Sequence, residues 1–225
     1  MSWSDWTRGT EIEPSIYAAD FARLGEQLDE VLSAGARILH FDIGDGHFVP
    51  PVTIGPVVLR SIEVMVHEVG GVLDCHLMVE NPARHFRELA ESGADSVTFH
   101  VEVVDDIASV VDEARLLGLG VGIALNPGTD LDAVAEAARD VDFALCMSID
   151  PGYSGQAFMT EALPRIAQLR SLLPEAVSVQ VDGGINADTA PQARAAGANL
   201  LVAGSAVFCQ DNAAAAYREL VQAVS

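Results

Sequence analysis

Lysine is absent from this sequence: all 12 of its basic residues are arginine. Schiff-base catalysis and covalent anchoring of pyridoxal phosphate both need a lysine amine. Lysine-dependent aldolases, which often use chains of this length, are therefore excluded. Cysteine is scarce. Cys75, Cys146 and Cys209 are too few and too scattered for a disulfide framework, which suits a reducing cytoplasm. No apolar run is long enough to span a bilayer. The first ten residues lack a basic stretch followed by an apolar one, so they do not read as a secretory signal. Positive charge is also short, with 33 acidic residues giving a formal net charge of −21. Like charges repel, so nucleic acid and anionic membranes are poor partners. A solvated acidic surface, as in salt-adapted proteins, is the plainest reading of the excess.

What remains is a regular alternation of β-rich runs and amphipathic stretches. The expected strands are Ile12–Tyr17, Ile38–Ile43, Val72–Met78, Ser96–His100, Val121–Leu125, Phe143–Ser148, Val177–Val181 and Leu200–Ala203. Expected helices lie near Phe21–Ala34, Pro56–Val69, Pro82–Ser92, Ile107–Leu117, Leu131–Arg139, Leu163–Leu173, Thr189–Ala196 and Ala213–Val224. Eight strands, each followed by a helix, is the count for a closed parallel barrel. Ala34-Gly35-Ala36, Ser92-Gly93-Ala94 and Ala196-Gly197-Ala198 each place a glycine where a helix stops before the next strand, as a left-handed C-cap requires. An open doubly wound sheet is the runner-up, but no GxGxxG follows the first strand. The reading is α/β: one (β/α)8 TIM barrel over residues 1–225, with residues 1–10 as an N-terminal extension. Trp3 and Trp6 in that extension could cover the barrel's base or an oligomer contact.

Functional groups of such barrels gather where strands end and βα loops begin. Strand two ends His40-Phe41-Asp42 and strand three Asp74-Cys75-His76; a spacing of two puts His40 with Asp42, and Asp74 with His76, on one face. Strand seven ends Val181-Asp182-Gly183-Gly184. Two imidazoles and two carboxylates (His40, Asp42, His76, Asp182) can converge on one divalent metal ion, with Zn²⁺, Mn²⁺, Fe²⁺ or Co²⁺ all suited to the donor set. Singly, each is as well explained as a cap or a buried hydrogen-bonder; together, unpaired burial would cost several kcal/mol apiece. A second cluster is glycine-rich: Asp182-Gly183-Gly184 after strand seven, Ala203-Gly204-Ser205 after strand eight, and Pro151-Gly152-Tyr153-Ser154-Gly155-Gln156 after strand six. Glycines let backbone N–H groups approach a phosphate, which barrels often place after strands seven and eight.

These residues carry a resemblance to the ribulose-phosphate 3-epimerase family, from Glu13-Pro14-Ser15-Ile16 to Gly204-Ser205-Ala206-Val207-Phe208. Its most specific stretches are Ala19-Asp20-Phe21-Ala22-Arg23-Leu24-Gly25, Asp45-Gly46-His47-Phe48-Val49-Pro50 and Thr53-Ile54-Gly55-Pro56. His76-Leu77-Met78, Asn126-Pro127-Gly128-Thr129 and Asp182-Gly183-Gly184 add to them. The resemblance implies a metal held by His40, Asp42, His76 and Asp182, with Asp42 and Asp182 doubling as the catalytic acid–base pair. It implies substrate contacts from Ser15, His76, Met78, Met147, Gly152, Tyr153, Ser154 and Gly155, and a phosphate cradle of Gly183, Gly184, Gly204 and Ser205. The implied reaction interconverts D-ribulose 5-phosphate and D-xylulose 5-phosphate, and the implied enzyme is cytoplasmic and homo-oligomeric.

Five residues depart from the family pattern. Tyr17 and Ala18 stand where Leu and Ser or Asn are usual, Gly44 where Met is usual, and Ser154 and Ala157 where Gly and Lys are usual. None removes a ligand or an acid–base carboxylate, but Tyr17 and Gly44 reshape the pocket beside the reacting carbon. A 3-epimerase of a hexulose 6-phosphate is therefore the nearest alternative, and a non-catalytic phosphosugar-binding relative the alternative of another class. The related decarboxylases and hexulose-phosphate synthases rely on a lysine in Asp-x-Lys-x-x-Asp and are ruled out. His47 and His100 match the family but are read only as hydrogen-bonders, and Asp45 as a loop-shaping residue.

Overall fold

Apolar runs buried on both faces dictate parallel strands, and apolar stripes at helical spacing dictate the helices that cover them. The computed structural model describes residues 3–6 and 9–225. A short helix α1 (Trp3–Trp6) precedes β1 (Glu11–Pro14), α2 (Leu24–Ser33), β2 (Ile38–Gly44), α3 (Pro56–Glu68), β3 (Val72–Met78), α4 (Ala83–Glu91) and β4 (Ser96–His100). The second half runs α5 (Ile107–Leu116), β5 (Gly120–Leu125), α6 (Asp132–Ala137), β6 (Phe143–Met147), α7 (Ala162–Leu172) and β7 (Ser178–Asp182). It ends with α8 (Ala190–Ala196), β8 (Leu200–Ala203), α9 (Ser205–Phe208) and α10 (Ala213–Ala223). The strands form one eight-stranded sheet in the order β1-β8-β7-β6-β5-β4-β3-β2. Every pairing is parallel, and an isolated parallel bridge from Ser15 to His40 brings the last two edges together. The barrel expected from the alternation is the architecture found.

Two boundaries differ for physical reasons. The first strand stops at Pro14, and Ile16–Ala18 winds into a 3-10 turn instead of extending to Tyr17. Helix α2 begins at Leu24, not Phe21, because Asp20 folds the chain first: its carboxylate accepts from Ala22 N (3.0 Å), and its own N–H donates to Gln27 Oε1 (2.7 Å). The expected glycine caps are present, with Gly35, Gly93 and Gly197 at φ of 109°, 97° and 114°.

The apolar core lies between sheet and helices. Leu28 and Val31 of α2, Leu59, Ile62 and Val66 of α3, and Phe86 and Leu89 of α4 pack on Leu39, Phe41, Leu73, Cys75, Leu77, Val97 and Phe99. Each such fully buried side chain contributes roughly 1.5–3 kcal/mol, which offsets an unusually polar barrel interior. That interior holds Glu13, His40, Asp42, Asp74, His76, Ser96, Thr98, His100 and Gln180, all buried. Beneath them Trp3, Ile38, Val72, Phe143 and Leu200 form an apolar floor. Trp3 stacks on Phe143 with ring centroids 4.4 Å apart, so of the two roles open to it, covering the base is the one observed. No described helix is long and apolar enough to cross a membrane.

Candidate active site

The parity of the strands and the register of the sheet build the site. His40 and Asp42 share the inner face of β2, and parallel pairing sets Asp42 beside His76 on β3. On the other side of the barrel, Asp182 ends β7 beside Met147 of β6. His76 Nδ1 lies 3.0 Å from Asp42 Oδ1 and 3.8 Å from Asp182 Oδ2, and His40 Nε2 lies 3.2 Å from Asp42 Oδ1. One ligand atom from each of the four sits within 4.8 Å of the other three. Bonds of about 2.0–2.2 Å to one ion place its ligand atoms roughly 3–3.6 Å apart, so the set can hold a metal ion. His40 Nε2 makes the same point. It is fully buried, out of hydrogen-bonding alignment with Asp42, and without another hydrogen-bond partner among the described residues, an arrangement that is costly unless something else uses its lone pair. Its other nitrogen, Nδ1, lies 3.0 Å from Asp74 Oδ2. Asp74 also accepts from Ser96 Oγ (2.7 Å) and Gln180 Nε2 (2.9 Å).

The two carboxylates at the mouth differ in character. Burial pushes the Asp42 carboxyl upward, but the charge of His40, then the hydrogen bond and charge of His76, outweigh it and hold Asp42 well below the usual range. Ser15 Oγ also donates to Asp42 Oδ2 at 2.5 Å. Asp182 moves the other way, up to about 7, first through burial and then through the negative charge of Asp42. Environments that push two acids apart suit one to give a proton while the other takes one.

A cavity of about 460 Å³ opens at this end of the barrel. Of the residues singled out in the sequence, Ser15, Asp42, Met78, Met147, Gly152, Tyr153, Ser154, Gly155, Asp182, Gly183, Gly184, Gly204 and Ser205 line it. His40 and His76 do not; both are fully buried. His76 nonetheless reaches the cavity's edge through Asp42 and Asp182, which do line it. Tyr17 is on the wall. Gly184 has φ +65°, and a Cβ there would lie 2.4 Å from Phe158 N, so the loop after β6 packs directly on the loop after β7. A Cβ on Gly204 would lie 3.4 Å from Ser154 Oγ, which places Ser154 over the start of α9.

Ile149, Phe158, Asn186 and Cys209 also line it and were not foreseen; they sit in loops whose course no alternation pattern fixes. Gly44 is explained by its surroundings. A Cβ there would lie 2.8 Å from Val49 Cγ2 and 2.9 Å from Pro51 O, so the loop after β2 fills the space a larger residue would take. Asp45 shapes that loop as expected, accepting from His47 N and Phe48 N (both 2.8 Å) and Glu80 N (2.9 Å).

Comparison with known proteins identifies the family. The model of the ribulose-phosphate 3-epimerase family matches residues 11–208. A ribulose-phosphate 3-epimerase of Mycobacterium bovis is 43% identical over 217 residues, 95% of this chain and 93% of that protein. One from Bacillus subtilis is 37% identical over 214 residues, 93% of this chain and 97% of that protein. Among solved structures, a 3-hexulose-6-phosphate synthase superposes with a TM-score of 0.74 over 96% of this chain and 100% of that one, at 21% identity. At that identity the likeness concerns the fold alone.

Proposed function

Because the chain belongs to the ribulose-phosphate 3-epimerase family, we propose that it interconverts D-ribulose 5-phosphate and D-xylulose 5-phosphate, with Asp42 and Asp182 as the proton-transferring pair. The convergence of His40, Asp42, His76 and Asp182 within 4.8 Å carries this proposal. These four would hold one divalent cation (Zn²⁺, Fe²⁺, Mn²⁺ or Co²⁺), which supplies Lewis-acid stabilisation of the negative charge that develops beside the reacting carbon. The C3 proton is acidic because it is alpha to the C2 carbonyl. One carboxylate removes it from one face, and the other delivers a proton to the opposite face through an enediolate. A single base returning the same proton would restore the starting configuration, so inversion needs two groups, and strands β2 and β7 present them from different sides of the mouth.

The rest of the pocket serves binding and water exclusion. Met78 and Met147 are buried apolar walls beside the carboxylates and limit solvent there. Among the described residues no arginine lines the cavity, and the chain has no lysine, so the phosphate is held by backbone N–H groups of Gly183, Gly184, Gly204 and Ser205. Ser15 and the loop Gly152-Tyr153-Ser154-Gly155 face the sugar. The protein works as a homo-oligomer in the cytoplasm, a location that its three unpaired thiols suit.

Asp42→Asn and Asp182→Asn are each expected to cut kcat by about 10²–10⁴ while leaving the circular-dichroism spectrum unchanged, and reaction in D₂O is expected to label C3 of the product. Near-normal turnover in either variant contradicts the assignment. Tyr17 on the cavity wall favours testing a second substrate: a higher kcat/KM on allulose 6-phosphate than on ribulose 5-phosphate would move the specificity to hexulose phosphates.

A further inference from the structure

The two nitrogens of His76 face different surroundings. Nδ1 points among the carboxylates of Asp42 and Asp182, whereas Nε2 lies 2.9 Å from Nε2 of His100 at the end of β4. The two imidazoles are stacked, centroids 5.0 Å apart and 26° between planes, and Phe48 lies 4.6 Å from the far side of His100. His100 Nδ1 lies 3.2 Å from Glu102 Oε2. The other carboxylate oxygen of Glu102 accepts from Asn126 N at 2.8 Å and from Thr129 Oγ1, so it is tied to the loop after β5.

Hydrogen-bond chemistry leaves one consistent proton order along this row. Two ring nitrogens at 2.9 Å must be one donor and one acceptor. If His76 Nδ1 gives its lone pair to a cation, its proton sits on Nε2 and donates to His100 Nε2. His100 then carries its proton on Nδ1 and donates to Glu102. The far end of the row matches this order. Burial raises Glu102, but the hydrogen bonds from His100, Thr129 and Asn126 overcome it and bring it to about 2, which keeps it an acceptor.

We propose that Glu102, acting through His100, is a positioning group that fixes the tautomer of His76 and aims Nδ1 at the cation site. His40 is set by a separate device, Asp74, which faces its Nδ1 directly and leaves Nε2 free. Each imidazole thus offers a different nitrogen because a different acidic anchor holds its far side, as outer-sphere carboxylates do at metal sites generally. Only the cation-binding part of the epimerase reading is needed for this.

The test is Co²⁺ titration of the metal-stripped full-length protein, followed by its visible absorption, for wild type, Glu102→Gln and His100→Phe, with thermal unfolding of each metal-free form alongside. Both variants are expected to bind Co²⁺ about 10–100-fold more weakly and with a shifted absorption band. His100→Phe keeps the ring packing but removes the acceptor, and Glu102→Gln removes only the charge. A merely structural role would lower the unfolding temperature and leave Co²⁺ affinity unchanged. A folded Glu102→Gln that binds Co²⁺ within about twofold of wild type overturns the relay alone, and decides the matter even if His100→Phe fails to fold. A wild-type protein that binds no Co²⁺ overturns the cation site and the relay together.

Discussion

Glu13 shows what it means for a single residue to occupy the interior of this barrel. It is fully buried below the four candidate ligands, where Gln180 Nε2 donates to it. Burial first, and the charge of Asp74 second, push its carboxyl up to about 8. A group raised in the folded state stabilises below its unfolded value, and that stabilisation is lost as pH rises from about 4.5 towards 8. Metal-free wild type is therefore expected to lose more stability between pH 6 and 9 than Glu13→Gln, by up to about 3 kcal/mol, in urea denaturation at the two pH values; parallel pH profiles would contradict this. At this scale much was legible. Period-two spacing put His40 with Asp42, and Asp74 with His76, on the inner face of the sheet, because strand parity alone decides which side a residue faces. The hydrogen-bond partners were not legible. Ser15, expected beside the substrate, also donates to Asp42, and Glu102 meets Asn126 and Thr129 only because two separate loops fold towards each other.

Strands were easier to place than the segments that connect them. Parallel strands buried on both faces announce themselves as apolar runs, and all eight were expected within a few residues of where they lie. The 3-10 turn at Ile16–Ala18 and helix α9 were missed, since each is too short to show a period. Yet those connections make the pocket. Gly184 allows the loops after β6 and β7 to touch, with a hypothetical Cβ only 2.4 Å from the Phe158 backbone nitrogen. Backbone cannot yield as a flexible side chain does, so Gly184→Ala must move one loop away from the phosphate cradle. Steady-state kinetics are expected to show KM for the phosphorylated substrate raised about tenfold or more, the equivalent of roughly 1.4 kcal/mol of lost binding, with Co²⁺ affinity retained. An unchanged KM would remove Gly184 from the cradle.

Taken whole, the molecule is an acidic shell around a barrel whose interior is itself acidic. A net charge of −21 repels itself and the substrate phosphate alike. Salt shortens the screening length from about 10 Å at 0.1 M to about 3 Å at 1 M. The unfolding temperature is expected to rise by about 3 °C or more over that range, corresponding to roughly 1 kcal/mol for a chain of this size; a flat or falling salt profile would show the surface charge to be well dispersed instead. The fold class followed from counting alternations, and the site followed from asking which ionisable residues end the strands. The full polarity of the interior, with Glu13, Ser96, Thr98 and Gln180 buried in it, needed coordinates, because sequence spacing says nothing of what faces a residue across a barrel.

Diffraction from crystals grown with Co²⁺, with data collected at the cobalt absorption edge, tests the central claim most directly. One anomalous peak is expected about 2.0–2.2 Å from His40 Nε2, His76 Nδ1 and the carboxylates of Asp42 and Asp182. An anomalous map without a peak there, with those four side chains turned away from one another, would contradict the account.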